Sequence, residues 1–341
     1  MKIKELEKFV AKNNLPKYRL EQVREAVYRE GIISWQEIST LSKDLRATLE
    51  SAIRILSFQV VRILKANDKA SFKAMLKTDD GNFFETVIMR NRPGRWTACL
   101  SCQIGCPIGC RFCATGQGGF KRNLTSEEIT DQILLWQNYL KRNFNTDKLD
   151  SIVFMGMGEP FLNWENVKSS IKELTDQSLF GFGDRNVSVS TVGIIDGFKK
   201  LAKEFPQINL AVSLHAVNNA QRSDLVPINQ QHDIVKLRQA INQYIDKTNR
   251  KVFLEYVMLR GINDGKEDAI ALAEYVKSFD KPYLLHVNLI SYNETATDFE
   301  STSTRDIEKF KNEIARKKIS VTIRKSLGKE IRGACGQLAN T

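Results

Sequence analysis

Three closely spaced cysteines are the feature that most constrains this chain. Cys106, Cys110 and Cys113 lie in GCPIGCRFCATG, with three residues between the first two and two residues between the last two. Three thiolates can hold three irons of a [4Fe–4S] cluster and leave the fourth iron without a protein ligand, whereas electron-transfer clusters usually have four cysteines. An open iron can be chelated by the amino and carboxylate groups of S-adenosylmethionine. The spacing therefore predicts a [4Fe–4S] cluster that binds S-adenosylmethionine and starts radical chemistry.

The cysteine spacing leaves two other interpretations open. Three cysteines could form a zinc site, although no histidine or fourth cysteine lies at the near spacing that zinc modules favour. A non-catalytic iron–sulfur protein that binds RNA or senses redox state would need the same cluster. The aromatic and small residues around the triplet, Phe112, Ala114, Thr115 and Gly116, favour the cluster over zinc.

Composition narrows the class of protein. The chain has 341 residues, of which 42% are hydrophobic, so it can bury a large core in two or three units. Its longest apolar stretches have the length of strands and its start, MKIKELEKFV, has no signal-peptide core, so we expect no membrane contact. Five of the six cysteines lie between Cys99 and Cys113, a pattern typical of reduced thiols in the cytoplasm. The formal net charge of +11 favours a polyanionic partner such as nucleic acid.

Periodicity and turn signals divide the chain into four segments. Residues 1–55 have apolar residues at helical spacing and predict a small helical domain suited to RNA binding. Residues 56–96 are β-rich and predict a connector of short antiparallel strands with a hairpin turn at Asp80-Gly81. Residues 97–318 alternate between strand and helix patterns. Residues 319–341 predict one more strand and then a glycine-punctuated loop.

The alternating segment predicts parallel βα units with right-handed crossovers. Its candidate strands are 98–102, 151–157, 186–192, 209–215, 251–259 and 284–290, and its candidate helices are 126–142, 164–177, 195–204, 234–247, 265–278 and 305–317. Six strands are too few for a complete eight-stranded barrel. We therefore expect an α/β fold with a partial, open (β/α)6 barrel.

Polar or glycine-rich groups follow most of these candidate strands. The cysteine loop follows the first strand and GMGEP follows the second, while Ser190 ends the third, Ser213 and His215 end the fourth, and Asn293 follows the sixth. Active residues of such barrels gather at the carboxyl ends of the strands. The sequence therefore predicts one site at that face.

Long motifs in this chain resemble those of one family. GCPIGCRFCATGQGGFKRNLTSEEITDQIL, FMGMGEP, STVGI, VSLHA, HVNLISYN and IRGACGQL look like motifs of the RlmN/Cfr family of radical S-adenosylmethionine RNA methyltransferases, and they span nearly the whole chain. The resemblance implies a radical-SAM barrel, a [4Fe–4S] cluster on the cysteine triplet and two S-adenosylmethionine molecules per turnover. It also implies cofactor contacts from Gly158, Glu159, Ser190, Ser213, Leu214, His215 and Asn293.

The resemblance assigns roles to three further residues. Carbon 2 of adenine is electron-poor, so it cannot attack the methyl group of S-adenosylmethionine, but a carbon radical can add to it. Family members place a methyl group on a cysteine, and a 5′-deoxyadenosyl radical then abstracts a hydrogen atom from that methyl group. Cys335 matches this methyl-carrying cysteine, and Cys99 matches the thiol that later attacks the Cys335 sulfur and leaves a disulfide. Glu85 matches the proton acceptor for carbon 2.

The resemblance also implies the substrate. One branch of the family methylates carbon 2 of an adenine in 23S rRNA, and often in tRNA as well, whereas the other methylates carbon 8 of the same rRNA adenine and confers antibiotic resistance. GMGEP and QIGC favour the carbon-2 branch, and LISYN matches neither. Cys102 stands where the family generally has serine, and we interpret it as a harmless extra thiol. We expect a monomer that takes electrons from a flavodoxin- or ferredoxin-like donor.

Overall fold

Twelve strands form along the part of the chain that the computed structural model describes, residues 1, 3–92, 94–146 and 148–339. They are β1 (Phe58–Lys65), β2 (Ser71–Thr78), β3 (Phe83–Arg92), β4 (Arg95–Cys99), β5 (Gln103–Gly105), β6 (Phe120–Asn123), β7 (Ser151–Phe154), β8 (Val187–Thr191), β9 (Asn209–Ser213), β10 (Val252–Met258), β11 (Leu285–Ser291) and β12 (Val321–Arg324). Ten of them make one sheet in the order β1-β2-β3-β4-β7-β8-β9-β10-β11-β12, and β5 pairs with β6 in a separate hairpin.

Three helices precede β1, and the other helices lie between strands as the alternation predicts. They are α1 (Ile3–Lys12), α2 (Tyr18–Arg24), α3 (Lys43–Ala52), α4 (Ala114–Gln117), α5 (Ser126–Phe144), α6 (Trp164–Thr175), α7 (Ile195–Glu204), α8 (Asn219–Leu225), α9 (Ile234–Thr248), α10 (Lys266–Lys277) and α11 (Thr304–Arg316). Strands β4 and β7 to β12 pair in parallel, and α5, α6, α7, α9, α10 and α11 make the crossovers. The predicted α/β class is therefore confirmed. No helix in the described part of the chain is long and apolar enough to cross a membrane.

The sheet extends further than the six predicted barrel strands. β12, in the segment predicted as a tail, pairs in parallel with β11 and is a seventh parallel strand. At the other edge β3 pairs antiparallel with β4, so the β1–β3 meander continues directly into the parallel ladder. The boundary expected at residue 96 falls inside β4, and the last two residues of the expected tail segment lie outside the described residues. The short β5–β6 hairpin gave no periodic signal, because three or four residues are too few to show one.

Local sequence explains where the longest crossover helix begins. The Thr125 hydroxyl accepts a hydrogen bond from the Glu128 amide, and the Glu128 carboxylate accepts one from the Thr125 amide, which makes a capping box at the start of α5. The Arg122 guanidinium donates to both carboxylate oxygens of Glu128 at 2.8 Å. Since Arg122 lies on β6, this contact ties the hairpin to the first turn of α5.

The N-terminal helices dock onto α5. The side chain of Asn138 donates to the Gly31 carbonyl at 2.9 Å, and the Ser57 amide donates to the Asp131 carboxylate at 2.8 Å. Residues of the helical segment and of the barrel also share one hydrophobic cluster, with Val27 and Trp136 both fully buried. The helical segment therefore packs as an extension of the barrel's outer layer.

Gly105→Ala should destabilise the protein more than Gly261→Ala. Gly105 has a φ of +76°, and a Cβ at this position would lie 1.8 Å from the Gly119 carbonyl oxygen, which belongs to the backbone and cannot rotate away. Gly261 has a similar φ of +68°, with no described atom within 4 Å of a Cβ. We expect losses of about 1 kcal/mol for Gly261→Ala and about 3 kcal/mol or more for Gly105→Ala in denaturant unfolding. Equal losses would contradict a close hairpin contact at Gly105.

Candidate active site

One cavity at the carboxyl ends of the parallel strands collects most of the residues singled out in the sequence. Its lining includes Cys99, Cys106, Cys110, Cys113, Gly158, Glu159, Ser190, Ser213, His215, Asn293 and Cys335. Two of the candidates, Leu214 and Glu85, do not line it. The strand ends therefore converge as the parallel topology requires, because successive parallel strands expose the same end at the same edge.

The cysteine triplet lies in a tight loop between β5 and α4. The Cys106 amide donates to the Gly119 carbonyl at 3.0 Å, and the Cys113 amide donates to the Cys110 carbonyl at 3.1 Å. Burial raises the pKa of Cys106 to about 12 and raises the pKa of Cys110 well above its usual value. Free thiols here would stay protonated at neutral pH, whereas a bound metal centre deprotonates the thiols that ligate it.

The donor set of this loop fits an iron–sulfur cluster. Three soft sulfur donors line the cavity. Within the described ranges, no three His, Cys, Asp or Glu side chains converge closely enough to hold one ion. Thiolates are the ligands that hold iron–sulfur clusters, so the residues present fit a [4Fe–4S] cluster.

The GMGEP loop places a buried carboxylate beside the triplet. Gly158 has a φ of +103°, and a Cβ there would lie 2.5 Å from Cβ of Gln103, so both the backbone conformation and the space require glycine. The Glu159 carboxylate accepts hydrogen bonds from the amides of Phe161 at 3.1 Å and Val192 at 2.9 Å. Burial raises the pKa of Glu159 to about 7. The loop thus presents an acceptor that can bind a cationic group of a ligand.

His215 packs beneath the cavity as a neutral ring. Its Nδ1 accepts a hydrogen bond from the Val257 amide at 3.1 Å, so the ring proton lies on Nε2. The ring meets Phe112 edge-on, with centroids 4.8 Å apart. Burial, helped by the charge of Arg222, lowers the pKa of His215 to about 3. His215 is therefore neutral in the folded protein near pH 7.

Asn293 offers the cavity an unused acceptor. Its side-chain nitrogen donates to the Cys335 carbonyl at 3.0 Å. Its side-chain oxygen is buried and has no hydrogen-bond partner among the described residues. A buried polar atom without a partner is costly, so a donor group on a bound ligand would satisfy it.

The C-terminal tail crosses the mouth of the cavity and is held largely by main-chain groups. The Ala114 amide donates to the Gly336 carbonyl at 2.8 Å, and the Thr115 hydroxyl donates to the Leu338 carbonyl at 2.6 Å. Cys335 directly precedes Gly336 and has an exposed side chain. The tail thiol therefore lies beside the cysteine loop.

Glu85 lies beneath the tail rather than in the cavity wall. One carboxylate oxygen is 2.7 Å from the Lys73 ammonium, and the other accepts from the Ala339 amide at 3.1 Å. Lys73 also donates to the Arg332 carbonyl at 3.1 Å. Both oxygens of Glu85 are thus engaged while the tail is docked.

The two thiols near β4 lie in different surroundings. Cys99 lines the cavity, and burial raises its pKa to about 12. Cys102 is buried outside the cavity lining, and its thiol donates to the Met157 carbonyl at 3.6 Å. All six cysteines are free thiols in this structure.

Sequence reasoning missed several residues of the site. Met155 and Glu255 line the cavity, and Lys73 pairs with Glu85. Glu255 could have been suspected, because it is the one charge in the otherwise apolar strand VFLEYVM. Lys73 had no such signal, since a lysine in a short strand is usually exposed.

Comparison with known proteins places this fold and site in a class. The family model of the radical SAM superfamily matches residues 100–273, just over half of the chain. A crystal structure of a radical SAM methyltransferase from Sphaerobacter thermophilus superposes with a TM-score of 0.92 at 38% identity, covering 100% of this chain and 98% of that one.

Curated relatives narrow the class. "Ribosomal RNA large subunit methyltransferase Cfr" of Clostridium botulinum is 41% identical over 98% of this chain and 95% of its own length. "Probable dual-specificity RNA methyltransferase RlmN" of Chlorobium phaeobacteroides is 39% identical over 98% of this chain and 93% of its own length. The chain belongs to the RlmN/Cfr family of radical S-adenosylmethionine RNA methyltransferases. It is an enzyme, and its cofactors are the [4Fe–4S] cluster and S-adenosylmethionine of that superfamily.

His215→Asn should reduce the decrease in the free energy of unfolding as the pH falls below neutrality. Because the folded-state pKa near 3 lies below the ordinary value of 6.5, the neutral ring contributes stability above pH 6.5 that is lost as the pH falls. Between about pH 8 and pH 5.5 the native protein should lose roughly 1 kcal/mol that the variant does not lose. Asparagine tolerates the φ of +62° found at this position.

Denaturant unfolding at several pH values measures this difference. His232→Asn, at a partly buried histidine outside the cavity, is the matched control and should follow the native profile. Parallel profiles for all three proteins would show that His215 takes up a proton in the folded state.

Proposed function

We propose that this enzyme methylates carbon 2 of an adenine in 23S rRNA, and that a tRNA adenine is a second substrate. The observation that carries the proposal is that the cysteine triplet, the GMGEP carboxylate and the tail thiol Cys335 line one cavity. The names of the curated relatives, a large-subunit rRNA methyltransferase and a dual-specificity RNA methyltransferase, support the RNA substrates. A non-catalytic iron–sulfur protein would have no need of a tail thiol at this point.

The residues in the cavity divide between cluster and cofactor. We assign Cys106, Cys110 and Cys113 to the cluster, which when bound supplies the electron that cleaves S-adenosylmethionine. Glu159 is suited to accept from the cofactor's ammonium group, and the free oxygen of Asn293 is suited to accept from another donor on the cofactor. The remaining contacts from the family resemblance, Gly158, Ser190, Ser213, Leu214 and His215, lie along the same strand ends.

The reacting groups of the protein are two thiols and a carboxylate. Cys335 would carry the methyl group, and Cys99, which lines the same cavity, would attack the Cys335 sulfur to release the methylated base. Glu85 would accept the proton of carbon 2. Because the Ala339 amide occupies one of its oxygens, Glu85 becomes available when the end of the tail moves away. Tail movement would thus bring the methyl carrier to the base and free the proton acceptor together.

The choice of carbon 2 rests on the motifs GMGEP and QIGC. The competing reaction is methylation at carbon 8, and it is favoured by the slightly higher identity to relatives named Cfr, 41% against 39%. Both reactions need the same cluster and cofactor. The position of the methyl group on the product adenine distinguishes them.

The partners follow from charge and chemistry. Exposed basic residues on the cluster loop and the tail, Lys121, Lys325, Lys329 and Arg332, are suited to contact RNA phosphates. A target adenine must leave its stack to enter the cavity. We further propose a monomer that acts in the cytoplasm with a flavodoxin- or ferredoxin-like electron donor. We also propose the four-segment organisation, with residues 1–55 as an RNA-binding accessory unit.

Substituting any one of Cys106, Cys110 and Cys113 by alanine should abolish cluster binding. Each variant loses one of the three protein ligands, so anaerobic reconstitution should leave less than about a tenth of the native iron and sulfide. Cys102→Ser is the matched control, because Cys102 is a buried thiol of the same region that does not line the cavity. Iron analysis and visible absorption measure the result. Loss of iron from Cys102→Ser, with retention in a triplet variant, would overturn the assignment.

Cys335→Ala should abolish methylation while the cluster stays intact. Without the tail thiol no methyl group can be carried to the base, so product should fall by more than about a thousandfold. Mass spectrometry of nucleosides from 23S rRNA and tRNA incubated with the reconstituted enzyme measures the product. We expect 2-methyladenosine from the native protein. 8-Methyladenosine alone would reverse the choice of carbon, and full activity of Cys335→Ala would exclude the proposed carrier.

A further inference from the structure

An ion pair between a buried carboxylate and a partly exposed guanidinium lies at the edge of the cavity. Glu255 on β10 is 4% exposed, and its carboxylate accepts from the Arg324 guanidinium at 3.0 Å and from the Asn288 side chain at 2.9 Å. Arg324 is the last residue of β12. Both members of the pair line the cavity, and Arg324 is its one lysine or arginine in the described part of the chain. The pair therefore places a fixed positive charge inside the site.

The Arg324 side chain reaches toward the opposite side of the barrel opening. Met155 directly follows β7. The Arg324 nitrogen that binds Glu255 also lies 3.8 Å from the Met155 sulfur. The backbone of Met155 opposes the rise in the pKa of Cys99 that burial causes. Arg324, Met155 and Cys99 line the same cavity, although Arg324 and Cys99 lie on the last and the first strands of the parallel ladder.

Both proposed reacting thiols lie within the electrostatic reach of Arg324. Burial raises the pKa of Cys99, the neighbouring Cys335 raises it further, and the charge of Arg324 opposes that rise. Burial lowers the pKa of Arg324. The negative charges of Cys335, Glu255 and Cys99 raise this pKa by more than burial lowers it, so the guanidinium stays protonated. One guanidinium therefore faces two thiols and one carboxylate.

The proposed reaction needs both thiols as thiolates. The Cys335 thiolate must attack the methyl group of S-adenosylmethionine, a step in which the new S–CH3 bond forms, the sulfonium–methyl bond breaks and S-adenosylhomocysteine leaves. The Cys99 thiolate must later attack the Cys335 sulfur, so that the S–S bond forms while the bond from that sulfur to the base-bound carbon breaks and the carbon takes up a proton. Only the thiolate is nucleophilic, and burial opposes its formation at Cys99. A nearby positive charge offsets that cost.

We infer that Arg324 is a positioning residue that stabilises Cys99 and Cys335 as thiolates, with Glu255 holding the guanidinium between them. The inference rests on the proposed function in that these two thiols are taken as the reacting pair. Arg324 would first stabilise the Cys335 thiolate for methyl transfer. Because methylated Cys335 carries no charge, Arg324 would then stabilise the Cys99 thiolate.

The alternative is that Arg324 only neutralises Glu255. A counter-ion of that kind needs no contact with Met155 and no place in the cavity wall. The other titratable side chains that line the cavity are Cys106, Cys110, Cys113, Glu159, His215 and Tyr292. None of these is a lysine or arginine, and His215 is neutral, so they supply no competing cation.

Alkylation by iodoacetamide tests the inference without any methyl transfer. The full chain is reconstituted anaerobically, and the mass of the tail peptide is checked to show that it carries no methyl group. Peptide mass spectrometry then follows the alkylation rates of Cys99 and Cys335 from about pH 6 to pH 10. Arg324→Gln should slow alkylation of these thiols about tenfold near pH 7.5, because removing the positive charge lowers the fraction of each thiol that is ionised.

Arg260→Gln is the matched control. Arg260 binds Glu300 with the same pair of atoms at the same 3.0 Å, but both side chains are 69% exposed and lie outside the cavity lining. Its removal should leave both alkylation profiles unchanged. Arg324→Lys should keep most of the native reactivity, because it keeps the charge.

Glu255→Gln makes the test independent of whether Arg324→Gln folds. Removing the carboxylate leaves the field of Arg324 less neutralised, so alkylation near pH 7.5 should become faster than in the native protein. Unchanged profiles in Arg324→Gln or in Glu255→Gln would overturn the inference. Failure of the proposed function is separate, because it would show as methylation by Cys335→Ala whatever the alkylation rates are.

Discussion

The parallel hydrogen-bond ladder from β4 to β12 is the constraint on which the site depends. Parallel strands must be joined by crossovers, and right-handed crossovers put the helices outside and every carboxyl strand end at one edge. Residues that are more than two hundred positions apart, such as Cys99 and Arg324, therefore face the same cavity. No single segment contains the site, because it exists only when the ladder is complete.

The tail is fastened to that edge in a way that suits release. Most of its hydrogen bonds are accepted by main-chain carbonyl groups of the tail. Ala114, Thr115 and Lys73 donate three of them. Contacts of this kind hold the tail in place with little demand on its side chains. Each is an ordinary hydrogen bond with a net worth of about 1 kcal/mol, and the buried side chain of Leu338 adds an apolar contact.

Buried charges mark where the site departs from a simple core. Lys73 pairs with Glu85, Arg324 pairs with Glu255, and Glu159 is held by two amides. Arg222 is fully buried and donates instead to the Leu214 and Val192 carbonyls. Burying such groups costs several kcal/mol unless they are paired, so these contacts are expected in a site rather than in a core built for stability.

The sequence by itself determined the alternation of strands and helices, the cysteine triplet, and the strand ends at which Glu159, Ser213 and Asn293 lie. These are local properties, since periodicity, turn residues and short spacings are written within a few residues of one another. It could not reveal that β12 joins the ladder or that Glu85 is covered by the tail. It also could not reveal that Arg324 meets Met155 and Glu255. Only the tertiary structure decided these, because each depends on groups from distant strands that packing alone brings within a few ångströms.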